Sequence, residues 1–214
     1  MDERTRSRRK LIATLAVVLP IAAGLVIAAI AHFVGGEETE VAKPQPHQQH
    51  RLVEAATPAA AGSPAPRVRL TEGGSGQSFD GATLGSEPYA VLFISTRCGA
   101  IGGFLRRVAT ELEAGEAAVL AISADPRVDS PAAVRAWLSR NRIGPGGSFH
   151  FLIGDEDQVR GYWNAWGFDG PVAECTDSIP AHLVSGADKN AGVLDVAPDS
   201  PASLLTEPLR GMAK

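Results

Sequence analysis

The chain has 214 residues, enough for one ordinary domain with flanking segments. Its formal net charge of −4 offers no basic surplus for nucleic acid, and its two cysteines, Cys98 and Cys175, are too few for a disulfide-scaffolded mini-domain. Hydrophobic residues make up 44% of the chain but aromatics only 6%, so any core is built largely from small side chains.

Residues 1–10 carry Arg4, Arg6, Arg8, Arg9 and Lys10 and read as a cytoplasmic basic segment. Leu11 to Val34 then runs without Lys, Arg, Asp or Glu. At about 1.5 Å per residue this run reaches about 36 Å, enough to span a hydrocarbon core. Lipid-embedded helices tolerate the Pro20 and Gly24 inside it. Basic residues before it and Glu37, Glu38 and Glu40 after it put the N-terminus in the cytoplasm and the bulk of the chain outside, as a single-pass protein of the cell membrane. The competing reading is a signal peptide cleaved near Ala29-Ile30-Ala31, but signal h-regions span only about 7–15 residues. Either way the domain sits where disulfides persist.

Residues 35–67 form a linker. Val41 to Pro66 is rich in Pro, Ala, Gln and Gly and reads as a disordered, partly extended tether, because it has too little apolar surface to offset chain entropy. His47 and His50 in it read as solvated polar residues, with loose metal capture as the alternative.

From Val68 to the C-terminus the pattern is that of an α/β domain. Val68 to Leu70 is a short strand, and Gly73, Gly74 and Gly76 mark a turn. Tyr89 to Ser95 is a continuous apolar run suited to a buried central strand. A helix follows with Phe104, Val108 and Leu112 on one face. Ala117 to Ile122 is a second buried strand. Ser130 and Pro131 then fit the N-cap and first residue of a helix with Val134, Trp137 and Leu138 inward. Phe149 to Ile153 is a third strand, and Asp155 to Trp166 a helix with acidic residues in its first turn. Ala181 to Val184 and Gly192 to Val196 read as a closing hairpin, and a last helix starts near Pro201. Strands alternating with helices define the class.

Cys98 falls between the strand ending at Ser95 and the next helix. A helix N-terminus and the neighbouring Arg97 favour a thiolate, the form that attacks disulfides and binds soft metals such as Cu(I). A small buried thiol packing the helix on the sheet is the plainer alternative. Gly99, Gly102 and Gly103 around the helix start imply close backbone approach or an irregular first turn.

Phe93-Ile94-Ser95-Thr96-Arg97-Cys98 resembles the strand-to-motif segment of the Sco/SenC family, where Thr-x-Cys-Pro precedes a second cysteine three residues further on. Ile122 to Pro131 resembles the family's Ser-x-Asp-Pro-x-x-Asp-Thr-Pro segment. Phe149 to Gly154, running on to Val159, Tyr162 and Trp163, is similar to its next strand and helix. His182 falls where the family places a metal-binding histidine. The resemblance covers about Val68 to Asp195.

It implies a thioredoxin-like fold, a central mixed sheet flanked by helices, behind the transmembrane helix. It also implies copper bound by two cysteines and a histidine, a role in assembling the copper centre of cytochrome oxidase, and hence an oxidase subunit or another copper or thiol client as partner. Thiol–disulfide reduction and redox sensing are the family's other activities. This chain departs from the pattern: Gly102 stands at the second cysteine and Gly99 at the proline.

Three readings follow. In the first, Cys98, Cys175 and His182 rebuild a copper site for Cu(I)/Cu(II). In the second, Cys98 is the nucleophile of a thiol–disulfide oxidoreductase with Cys175 resolving, which requires Cα atoms within about 7 Å. In the third, the domain is redox-silent and binds a protein. Ile179-Pro180-Ala181 resembles the thioredoxin segment whose cis-proline faces the reactive cysteine. His150 reads as a hydrogen-bonded structural histidine, Trp163 and Trp166 as core, and Asp125 and Asp129 as turn and capping residues.

Overall fold

The computed structural model describes residues 60–144, 146–170 and 178–213. The predicted anchor at 11–34, most of the predicted tether and Cys175 lie outside the described residues. Among the described residues no helix is long and apolar enough to cross a membrane.

Seven strands form one sheet: β1 (Arg69–Glu72), β2 (Ser78–Asp80), β3 (Tyr89–Ile94), β4 (Ala118–Ser123), β5 (Phe149–Ile153), β6 (Ile179–Ser185) and β7 (Lys189–Val196). Their spatial order is β2-β1-β5-β4-β3-β6-β7. β3, β4 and β5 are parallel. β1, β2, β6 and β7 complete the sheet through antiparallel pairs. Among the described residues the α-helices, in chain order, are α1 (Gly102–Glu111), α2 (Pro131–Asn141), α3 (Glu156–Trp166) and α4 (Ser203–Met212).

The sheet separates two cores. Every residue of β3 and β4 is buried, because helices cover both faces of the parallel centre. Ala90, Leu92 and Ile94 of β3 point to the face packed by Phe104 and Val108 of α1, Val134 and Trp137 of α2, and Leu205 of α4. Tyr89, Val91 and Phe93 point to the other, packed by Val159, Trp163 and Trp166 of α3. This alternation is the period-two geometry of a strand.

Local signals set the helix ends. Ser130 accepts from the Ala133 N–H at 3.2 Å, and Pro131 opens α2, as the sequence predicts. Asp155 and Gln158 form a reciprocal capping box at α3, which ends at the left-handed Gly167. β2 was not predicted: it is three residues long and buries only Phe79, too little for a periodic signal. β6 and β7 are longer than the predicted hairpin. A bulge between Leu183 and Val184 shifts their register, with Gly192 at φ 151 opposite it, so the alternation is broken where a strand boundary would be sought.

There is no cis peptide bond among the described residues, so Pro180 does not reproduce the cis-proline of the thioredoxin segment it resembles. Pro180 is the second residue of β6, and the β3–β6 pairing stops at Ala181. A proline, lacking an N–H, fits just beyond the end of that ladder.

Candidate functional site

The loop after β3 carries Cys98 at the carboxyl end of the parallel strands, where α/β folds present their functional loops. Cys98 is 2% exposed. Its N–H donates to the Ser95 carbonyl at 2.8 Å, and its own carbonyl accepts from Trp137 Nε1 at 3.0 Å. Its sulfur is in a disulfide. The one other cysteine in the sequence is Cys175, outside the described residues.

Two features expected to favour a Cys98 thiolate are weaker in the structure. α1 begins at Gly102, and the preceding turn has no side-chain cap. Cys98 therefore stands about a turn ahead of the helix, and the dipole effect fades over that distance. The Arg97 guanidinium lies 3.6 Å from the buried Asp125 carboxylate, which Arg127 also approaches at 3.4 Å. Asp125 thus offsets much of the charge next to the cysteine.

Beneath the loop lies Asp129, 2% exposed. Its Oδ1 accepts from Ser95 Oγ at 3.1 Å, from the Thr96 N–H at 2.8 Å and from Thr96 Oγ1 at 2.7 Å. Its Oδ2 accepts from Ser123 Oγ at 2.7 Å. A buried carboxylate is tolerated only with such donors, since desolvation otherwise costs several kcal/mol. Asp129 closes a turn, its N–H donating to the Asp125 carbonyl at 3.1 Å, but Ser130 and not Asp129 caps α2. It joins the ends of β3 and β4 directly under Cys98. Its sequence signal was a polar residue beside a strand end, with Ser95, Thr96 and Ser123 as unassigned donors.

Gly102 has a steric reason. A Cβ there would collide with the side-chain amide of Asn141, which donates to the Trp137 carbonyl at 2.9 Å. The position that matches the family's second cysteine is thus filled by α2.

His182 is not beside Cys98. It is the fourth residue of β6, pairs with Val91 in the middle of β3 and is 7% exposed. Ala181 and Leu183, its neighbours on β6, share the core that contains Cys98, so His182 points to the opposite face of the sheet. There its ring meets Trp166 at 5.2 Å and Phe93 at 6.4 Å between centroids. Burial holds its imidazole below the usual histidine range. Trp166 Nε1, in the same cluster, is buried without a hydrogen-bond partner among the described residues. Trp163 donates to the Ser123 carbonyl at 3.1 Å, consistent with a core role.

His150 is hydrogen-bonded, as its strand position predicts: Nδ1 lies 2.9 Å from Glu72 Oε2. The pair borders a cavity of about 560 Å³ with Phe79, Leu84 and Glu87, at the end of the sheet opposite Cys98.

No protein-family model and no curated protein matches the chain. Solved structures do match. BsSco, a member of the Sco family of cytochrome c oxidase assembly proteins in which a disulfide switch was identified, aligns at 14% identity and TM-score 0.60, covering 73% of this chain and 95% of that one. An SCO1/SenC family lipoprotein from Bacillus anthracis aligns at 14% identity and TM-score 0.58, covering 74% and 99%. An uncharacterized conserved protein from Geobacillus kaustophilus aligns at 16% identity and TM-score 0.55, covering 72% and 82%. The domain has a Sco-like thioredoxin fold.

Among the described residues the donors do not compose the copper site that the sequence resemblance implies. The Cys98 sulfur is already bonded to sulfur, Gly102 offers no side chain, and His182 lies across the sheet. Among the described residues no group of three or more His, Cys, Asp or Glu side chains can hold a metal ion.

Proposed function

We propose that this is a membrane-anchored, extracytoplasmic Sco-like protein working by thiol–disulfide exchange, with Cys98 and Cys175 as the redox pair. The observation that carries this reading is the oxidised state of Cys98 on a tightly held loop at the carboxyl end of the parallel strands. The exchange needs an external dithiol. A partner thiolate attacks one sulfur, the Cys98–Cys175 bond breaks and a mixed disulfide forms. The partner's second thiolate then displaces it, leaving two thiols here and a disulfide on the partner. Two electrons and two protons arrive and no atom is lost.

The test is trapping. A Cys175→Ser chain, expressed where the domain is exported, should retain a mixed disulfide through Cys98 that a reductant releases. Absence of any Cys98 adduct, with the chain folded, would sink the reading.

Copper binding is the second reading, favoured by the Sco-like fold and by the soft sulfur pair that reduction would release. Delivery to a respiratory oxidase is its physiological form. An anaerobic Cu(I) titration of the reduced chain decides it. One tight equivalent weakened by Cys98→Ser and Cys175→Ser supports it. A His182→Ala variant that binds like the parent removes His182 from the ligand set.

A further inference from the structure

We infer that Asp129 is a positioning residue that sets the redox equilibrium of Cys98, holding the loop in the conformation the disulfide requires. The inference rests on the exchange reading above. Disulfide formation is sensitive to placement, because the two Cα atoms must come within a narrow range of distance and direction. A cysteine on a loose loop meets that condition for a small fraction of the time. One on a fixed loop meets it continuously, and its oxidised form is favoured accordingly.

The fixing of Cys98 can be traced bond by bond. Asp129 Oδ1 takes three donors from Ser95 and Thr96. Ser95 in turn receives the Cys98 N–H on its carbonyl, at 2.8 Å, and the Arg97 N–H on its hydroxyl, at 3.3 Å. Oδ2 takes Ser123 at the end of β4 at 2.7 Å, so the anchor is the sheet itself. On the far side, Trp137 of α2 holds the Cys98 carbonyl. Cys98 is thereby gripped through its N–H and its carbonyl, and one of those grips depends on a buried carboxylate. Besides Asp129, the Asp125 carboxylate meets this loop through Arg97 at 3.6 Å and is also approached by Arg127 at 3.4 Å.

Coupling of this kind is reciprocal. If Asp129 favours the oxidised form, the disulfide must also add more stability when Asp129 is present than when it is absent. A residue that only supports the fold would lower the stability of the oxidised and reduced forms alike and leave the redox equilibrium unmoved.

The experiment equilibrates the full chain in detergent with mixtures of reduced and oxidised dithiothreitol and counts free thiols by mass after alkylation. The balanced reaction is protein disulfide plus dithiothreitol giving protein dithiol plus the cyclic disulfide. We expect Asp129→Asn to shift the equilibrium at least tenfold toward the protein dithiol, equivalent to about 30 mV for two electrons. Ser123→Ala, which removes one of the four donors, shifts it two- to threefold in the same direction. Thr96→Ser, which keeps the hydroxyl and the N–H, restores the parent value. A parent-like equilibrium in Asp129→Asn, with oxidised and reduced forms destabilised equally, would overturn the inference and leave the exchange reading standing. Should Asp129→Asn not fold, a parent-like equilibrium in Ser123→Ala overturns it in the same way. A parent protein that fails to exchange with dithiothreitol at all sinks the exchange reading itself.

Discussion

Two regions of the molecule hold the residues with the clearest chemistry, and they are built on opposite principles. At the carboxyl end of β3, a buried carboxylate, three hydroxyls and an indole N–H fix the loop of Cys98 through directed bonds. On the opposite face of the sheet, His182 packs against Trp166 and Phe93, and burial holds its pKa below the usual histidine range. Directed bonds fix where an atom stands and are costly to leave half made, whereas an aromatic cage fixes volume and tolerates substitution of similar size. The first region is suited to holding a reactive sulfur, and the second to a packed core that contains one titratable ring.

The contrast can be broken most forcefully at Asp129. Asp129→Ala leaves the Thr96 N–H and three hydroxyls without their acceptor and should destabilise the oxidised domain by about 3 kcal/mol in urea unfolding. His182→Phe, the matching change in the aromatic region, should cost about 1 kcal/mol or less at neutral pH. Equal losses would erase the distinction.

Next in size is Gly102→Cys, which places a cysteine where the Sco/SenC motif has its second one. The collision with Asn141 should lower stability by about 1–3 kcal/mol. Pairing it with Asn141→Gly should recover more than half of that loss, a non-additivity read by a double-mutant cycle. Trp137→Phe removes the bond to the Cys98 carbonyl and should cost about 1 kcal/mol, with the aromatic packing on Phe151 largely kept.

The smallest effect is a pH dependence confined to the aromatic region. The folded state holds His182 below its ordinary value of 6.5, so the unfolded chain binds the proton more readily. This contribution to stability is whole above pH 6.5 and is lost as pH falls through the lower folded value. In His182→Phe the decline below pH 6.5 should be shallower, whereas Asp129→Asn should keep the His182 part of the slope.

Much of this was legible in advance. β3, β4 and β5 read as unbroken apolar runs because both of their faces are covered. Ser130-Pro131 announced α2 through groups that act within one turn of the chain. The location of Cys98 at a strand–helix junction followed from the same periodicities. The position of His182 along its strand was misread, because the strand was expected from Ala181, which put the histidine near its start. β6 in fact begins at Ile179, and His182 lies in mid-strand. Its placement across the sheet from Cys98 then follows from side-chain alternation.

By itself the sequence determined most of the elements and their order, the Ser130 cap of α2 and the loop on which Cys98 stands, since each depends on residues a few positions apart. It also determined that only one other cysteine exists for Cys98. Tertiary structure alone decided which hydroxyls meet Asp129, which side chain fills the space beside Gly102, and which face receives His182. Those contacts join residues tens of positions apart, such as Ser95 with Asp129 and Cys98 with Trp137. Periodicity and local propensity carry no record of such pairings; they arise when strands and helices pack and bring particular donors and acceptors within reach.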